Sequence, residues 1–216
     1  MKTLCWLGII AAAIAGCNTP PRGYERVKPA VRPGGRAIAV LPFAVLEGSG
    51  ITAVDSVQLA EYTAIGLRAN LPGITVLGPS NLWDALKGGM NEARWPEIAR
   101  LTGTQLLVVG EITYLSAQYD ELLQSREGMI AVSFRVLDAT SAPAKLIQRI
   151  AWRLNYPEDR EDKFDPRYTT MDEAMFRNEI LRYMAQRIGG AFYEHLEKKR
   201  PVNQVETTLR VEGPEP

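Results

Sequence analysis

The chain has 216 residues, with 25 basic and 25 acidic side chains and a formal net charge of zero. That balance leaves no basic footprint to neutralise a phosphate backbone, which argues against nucleic acid as a partner. Two cysteines cannot build a disulfide framework, and at 46% hydrophobic content a chain of this length can bury an apolar core without one.

Lys2 and the apolar run over residues 4–15 have the form of the basic and hydrophobic regions of a signal peptide. A spanning helix needs roughly 20 apolar residues, and here the polar, proline-containing residues 18–22 arrive too early. The run ends in Ile14-Ala15-Gly16-Cys17, and small residues followed by a cysteine resemble a bacterial lipobox. Residues 1–16 are therefore expected to be a removed leader, with Cys17 as the first mature residue and the site of lipid attachment. Removal of the leader also takes away Cys5, so Cys17 has no disulfide partner. Asn18 stands where the known inner-membrane retention signal has aspartate, so the resemblance implies delivery to the outer membrane, lipid-anchored on its periplasmic face. A single acyl chain binds reversibly and several chains hold firmly; lipoproteins of this kind usually carry three.

Residues 17–35 contain Pro20, Pro21, Pro29 and Pro33 with Arg22, Arg26, Lys28 and Arg32, the composition of an extended, solvated tether. Its basic residues also suit anionic lipid head groups. A first strand is expected over residues 37–44, a continuous apolar run closed by Pro42. Thr52 and Asp55 form a capping box for a helix whose apolar stripe is Val54, Val57, Ala60, Ala64, Leu67 and Leu71, stopped by Pro72-Gly73. Residues 74–77 read as a second strand. Ser80 is positioned to cap a helix ended by Gly88-Gly89, and Pro96 to open another that Gly103 closes.

Residues 105–115 hold the most apolar strand pattern, expected at the centre of the sheet. Residues 129–137 alternate Ile130, Val132, Phe134 and Val136 against Ala131, Ser133 and Arg135, a strand with one polar face, and residues 145–155 alternate less cleanly. Together these two predict an antiparallel hairpin. After a charged loop, Thr170 and Glu173 are positioned to cap a final helix with the stripe Met175, Phe176, Ile180, Met184, Ile188, Ala191 and Phe192, ended by Pro201. The tail from 201 to 216 has no sustained pattern and reads as disordered. The sum is a single mixed α/β domain over residues 36–200, with α+β character. It has one mixed sheet of about five strands, in the order β-α-β-α-α-β-β-β-α, with helices packed on the sheet.

The segments Ala-Ile-Ala-Val-Leu-Pro-Phe at 37–43, Ile-Thr-Val-Leu-Gly-Pro-Ser at 74–80, Ala-Arg-Leu-Thr-Gly-Thr-Gln-Leu-Leu-Val-Val-Gly-Glu-Ile at 99–112 and Val-Leu-Asp-Ala-Thr at 136–140 are similar to those of a group of bacterial envelope domains. That group includes the curli secretion lipoprotein, the amino-terminal domain of TolB, the Pel polysaccharide export lipoprotein and the lipoprotein activators of penicillin-binding proteins. The resemblance covers about residues 36–197. It implies a binding or assembly module with an envelope protein partner, including assembly of copies into a homo-oligomeric ring, and it carries over no catalytic residue.

Candidate chemistry is sparse. His195 is the only histidine and is expected on the surface of the last helix, without the partners a catalytic or metal role requires. Gly48-Ser49-Gly50 lies between strand and helix but lacks the lysine and spacing of a phosphate loop. The acidic residues over 158–165 are interleaved with Arg160, Lys163 and Arg167, unlike a calcium loop. No catalytic, metal or cofactor site is expected. Tyr156, Phe164, Arg167 and Tyr168 are the candidates for a partner contact; packing of the aromatics under the final helix explains them equally well. A different class of function also remains open: a periplasmic sensor of a small molecule or nucleotide, using the loops near Glu47 to Gly50 and Gly110.

Overall fold

The computed structural model describes residues 20–198 except 22, 47–48, 122–123 and 159–164. The leader, Cys17, Phe164 and the carboxy-terminal tail lie outside the described residues. The elements in order are β1 (Tyr24–Val27), β2 (Ile38–Val40), β3 (Ala44–Val45), α1 (Ala53–Asn70), β4 (Val76–Leu77), α2 (Pro79–Leu86), a single 3-10 turn (Glu92–Arg94), α3 (Trp95–Thr102), β5 (Leu106–Asp120), β6 (Ser125–Asp138), β7 (Lys145–Tyr156), α4 (Pro166–Thr170), α5 (Glu173–Gly190) and β8 (His195–Lys198).

The class is the mixed α/β expected, with six strands in the main sheet. Their order is β4-β2-β5-β6-β7, and β3 pairs with β5 beyond the end of β2. β2 runs parallel to β4 and β5, whereas β5, β6 and β7 form an antiparallel meander. The central place of β5 follows from its first four residues, Leu106 to Val109, all buried, because only a strand covered on both faces hides such a run. Beyond Gly110 the strand changes character: Ile112 and Leu115 are buried while Tyr114 is 45% exposed. A bulge between Ile112 and Tyr114 shifts the register there.

Gly110 sits where β5 passes beneath Phe43. A Cβ at this position would stand 2.5 Å from a ring carbon of Phe43 and 2.7 Å from the Ser133 carbonyl oxygen. Gly110→Ala is accordingly expected to lose about 1–3 kcal/mol through overpacking. A urea melt checks this, and an unchanged midpoint would show that Phe43 has room to move.

α1 begins at the expected capping box: Asp55 N–H donates to Thr52 Oγ1 at 3.2 Å, and Thr52 N–H donates to Asp55 Oδ2 at 2.7 Å. Its buried face is rotated from the expected stripe. Val54 and Val57 are 62% and 43% exposed, while Asp55 and Ser56 face inward. The polar pair is tolerated because each member is bonded: Ser56 Oγ donates to the Phe43 carbonyl, and Asp55 receives Arg177. α2 is not capped by Ser80. Gly78 is the N-cap and Pro79 the first helical residue, and Ser80 donates from both its backbone N–H and its hydroxyl to Glu61 Oε2, at 3.3 and 3.1 Å.

The final helix departs furthest from expectation. Asp172, not Thr170, caps α5, its Oδ1 accepting from Met175 N–H at 2.7 Å, and Thr170 belongs to the short α4. Phe176, Ile180, Met184 and Ile188 line the buried stripe as expected, but Met175 is 56% exposed. The helix stops at Gly190, well short of Pro201, and the chain returns as β8. Two consecutive glycines hold a helix poorly. The second of them gives the His195 ring its place, since a Cβ on Gly190 would lie 2.8 Å from His195 Cε1.

β8 pairs antiparallel with β1, in the segment whose prolines predict an open tether. Val31 and Pro33 are buried as well, and Val31 N–H donates to the Ala191 carbonyl at 2.9 Å. The chain from Tyr24 onward is therefore docked on the domain.

Candidate functional site

The sheet is covered unequally. On one face α1 and α5 pack along its length, over Ile38, Val40, Val108, Ile112, Ile130, Val132, Phe134 and Leu154. On the other, α2 and α3 reach only Ala39, Leu41, Leu107, Val109, Leu137 and Ala139. Side chains alternate across a strand, so the residues in phase with Val109 on β5, β6 and β7 continue this second face, and among the described residues no helix lies over it. In register they are Glu111, Ser133 and Ala151, then Tyr114, Ala131 and Arg153, then Ser116, Met129 and Asn155. Arg135 and Arg149, directly opposite each other, mark the border with the helical layer.

Where that layer ends, a cleft of about 520 Å³ opens. Pro42 and Ala44 close one side just past the carboxyl end of β2, the position where open α/β sheets place ligands. Glu92 and Trp95 bring the α2–α3 hairpin to the other side, and Glu111, Ser133, Arg135 and Arg149 form the floor. The hairpin is held by Arg94, which donates to the Gly89 carbonyl at 2.7 Å and to Glu97 Oε2 at 2.9 Å. That hydrogen bond, with the charge of Arg94, holds the Glu97 carboxyl below its ordinary range. Arg135 donates to Glu92 Oε1 at 2.8 Å and places its guanidinium 5.0 Å from the Trp95 ring centroid. With Glu92 exposed, the ion pair adds little stability; its consequence is to orient Arg135 over the cleft. A second concavity of about 420 Å³ lies further along the same open face, among Tyr114, Ser116, Gln118, Glu127 and Met129.

The arrangement offers hydrogen-bond donors, acceptors of both signs and aromatic edges on a rigid three-stranded platform. It suits recognition. Among the described residues no three His, Cys, Asp or Glu side chains gather as a metal site, and no helix is long and apolar enough to cross a membrane. His195, expected on a helix, lies in β8, half-buried, with Nδ1 3.1 Å from the Tyr193 carbonyl and Nε2 3.2 Å from Glu197 Oε1. Of the loop at 48–50, Gly50 accepts from Arg177 through its carbonyl at 3.0 Å.

The residues singled out for partner contact fall elsewhere. Tyr156 and Tyr168 stack edge to face at 5.7 Å with their hydroxyls 3.2 Å apart, and Phe176 and Tyr183 complete the cluster beneath α5. Burial, and then the neighbouring Tyr168 hydroxyl, push the Tyr156 phenol above its ordinary value, so it stays protonated and works only as a hydrogen-bonding group. Arg167 is exposed and bonded to Asp165 at 2.6 Å, which raises the guanidinium and lowers the carboxyl. The residues lining the open face were visible in the sequence only as the polar half of an alternating strand. Ser133 and Arg135 carried that signal, and nothing in the pattern marked the helical layer as ending at Val109.

No protein-family model matches the chain, and no curated protein does. Among solved structures, a PelC dodecamer from Paraburkholderia phytofirmans is similar at 12% identity, covering 77% of this chain and 96% of that one, with a TM-score of 0.43. Lipoprotein GNA1162 from Neisseria meningitidis is similar at 16% identity, 69% and 98% coverage and a TM-score of 0.41. The LpoB carboxy-terminal domain from Salmonella enterica is similar at 13% identity, 56% and 82% coverage and a TM-score of 0.38.

Proposed function

We propose that this protein is an outer-membrane-anchored periplasmic lipoprotein whose domain is a non-catalytic docking module of an envelope export or cell-wall synthesis machine. The observation that carries the docking role is the open face of β5, β6 and β7, a broad polar and aromatic platform beside a cleft, left uncovered by the helices among the described residues. The cysteine after a short apolar run supports the anchor. The partner is an envelope protein, and copies of the chain assembling into a ring are one form the module takes.

Cys17→Ala is expected to move the protein from the membrane to the soluble fraction of fractionated envelopes. A photo-crosslinker at Tyr114 should capture an envelope protein from intact cells, and one at Trp83, on the outside of α2, should not. Unchanged fractionation refutes the anchor; equal capture at both positions refutes the docking face.

One feature favours a second reading, a periplasmic small-molecule or nucleotide sensor: the cleft beside Gly110 with Arg135 and Arg149 on its floor. A ligand bound only by the folded state raises the melting temperature, so a thermal-shift screen that finds one would favour the sensor.

A further inference from the structure

The β1–β8 ribbon changes how the domain hangs from its anchor, a consequence that rests on the proposed acylation of Cys17. With the chain docked from Tyr24 onward, the leash is only the six residues 18–23. Fully extended, it reaches about 25 Å, against about 65 Å for a tether running to residue 36. The domain is held close to the bilayer, with the ribbon as the part nearest the attachment point.

The two faces of the ribbon differ in a way that identifies what the outer one meets. Residues paired in register are Tyr24 with Lys198, Glu25 with Glu197, Arg26 with Leu196 and Val27 with His195. Alternation sends Glu25, Val27, His195 and Glu197 to the inner side, where Glu25 stays exposed. There Arg187 pairs with Glu197, and Trp152 and Ile150 lie across a small cleft of about 170 Å³. Outward go Tyr24, Arg26, Leu196 and Lys198, with Tyr24 and Leu196 exposed at 43% and 48%, and Arg26 is ion-paired with the exposed Glu194, which leaves Lys28 and Arg32 as the charges for the lipid. The exposed Lys28 and Arg32 follow directly. From Pro20 to Pro33 the sequence has four basic residues and one acidic one. An aromatic with a polar tip, an aliphatic and several basic side chains on one small exposed face is the composition that settles at a membrane interface.

We infer that the outer face of the β1–β8 ribbon lies on the anionic lipid surface carrying the anchor, with Tyr24 and Leu196 at head-group level and Lys28 and Arg32 over the lipid phosphates. This orientation places the β7 edge toward the bilayer and the β4 edge, with α2, away from it. The open docking face then stands across the membrane surface, available to a partner in the periplasm.

Acylation occupies the sulfur of Cys17, so an introduced cysteine in the mature lipoprotein can be labelled alone. Leu196→Cys and, on α2, Trp83→Cys would each carry an environment-sensitive fluorophore. Both proteins are reconstituted through their own acyl chains into vesicles of phosphatidylethanolamine and phosphatidylglycerol containing a head-group nitroxide lipid. The label at 196 is expected to be quenched well beyond the label at 83. Adding Lys28→Glu with Arg32→Glu should abolish that excess while the protein still sediments with the vesicles. Equal quenching at the two positions in acylated, sedimenting protein overturns the ribbon surface and leaves the anchor standing. Mass spectrometry showing a bare Cys17 thiol overturns the anchor, and the inference with it. Excess quenching that survives charge reversal overturns the anionic-lipid contact.

Discussion

Arg177→Met is expected to lower the unfolding free energy by about 3 kcal/mol, near the lower end of the cost of breaking a buried ion pair. Asp55 is only 5% exposed, at the first turn of α1. Arg177, on α5, holds it through two parallel hydrogen bonds of 2.8 Å and reaches the Gly50 carbonyl at 3.0 Å. Removing the guanidinium strands a carboxylate that water reaches poorly, and it also frees the loop before α1. The cost stays at the low end because the Arg177 side chain retains 21% of its exposure. Asp55→Asn combined with Arg177→Met should recover part of the loss, since no uncompensated charge is then buried. Urea titrations of the three proteins against the parent measure it; a single variant as stable as the parent refutes the account.

The same pair predicts a pH dependence. Burial alone would raise the Asp55 pKa, but the Arg177 hydrogen bonds, the Thr52 backbone and hydroxyl, and the charge of Arg177 outweigh it, so the folded value lies below the ordinary one. A depressed folded pKa contributes stability above the unfolded value, about 3.9, that is lost as pH falls through the folded value. The stability gap between the parent and Arg177→Met should therefore be constant near neutrality and close in acid, below about pH 4. A gap that widens on acidification would mean that another group dominates.

Phe176→Ala carries the largest expected cost, about 3–5 kcal/mol. The ring is fully buried and touches both layers: it meets Tyr156 of β7 at 5.7 Å and Tyr168 of α4 at 5.8 Å, between α5 and the sheet. Its loss leaves a cavity that three separate elements would have to move to fill. At roughly 2–4 °C per kcal/mol for a domain of this size, the melting temperature should fall by about 10 °C. Tyr156→Phe, which removes only the hydroxyl facing Tyr168, should cost about 1 kcal/mol. Calorimetry of the two variants separates packing from hydrogen bonding: a small effect at Phe176 would show that the cluster collapses freely.

Individual elements show why some of the fold was legible and some was not. The Thr52–Asp55 box was readable because a cap is a local bond between residues three apart, and the central strand because a run of large apolar residues has few other places to go. The alternation of β6 fixed which side of the hairpin faces water. The stripe of α1 was misplaced because Asp55 and Ser56 are turned inward by partners 122 residues later and 13 residues earlier in the chain. The tether was misjudged for a related reason. Proline and arginine over residues 20–33 disfavour a strand locally, and β1 exists only because α5 stops at Gly190 and sends β8 back beside it. The Tyr156 and Tyr168 pair was recognised as significant, but whether its rings face a partner or a core depends on where α5 lies.

By itself the sequence determined what depends on neighbours along the chain: the class, the order of the main elements, the Thr52–Asp55 cap, the central strand and the leader-and-cysteine pattern that suggests an anchor. Only the tertiary structure decided where the helical layer ends, and with it the open face and the cleft, and that the chain is docked from Tyr24 onward. Those features arise from contacts between residues far apart in the chain, whose free energy exceeds the local preferences that periodicity and composition report.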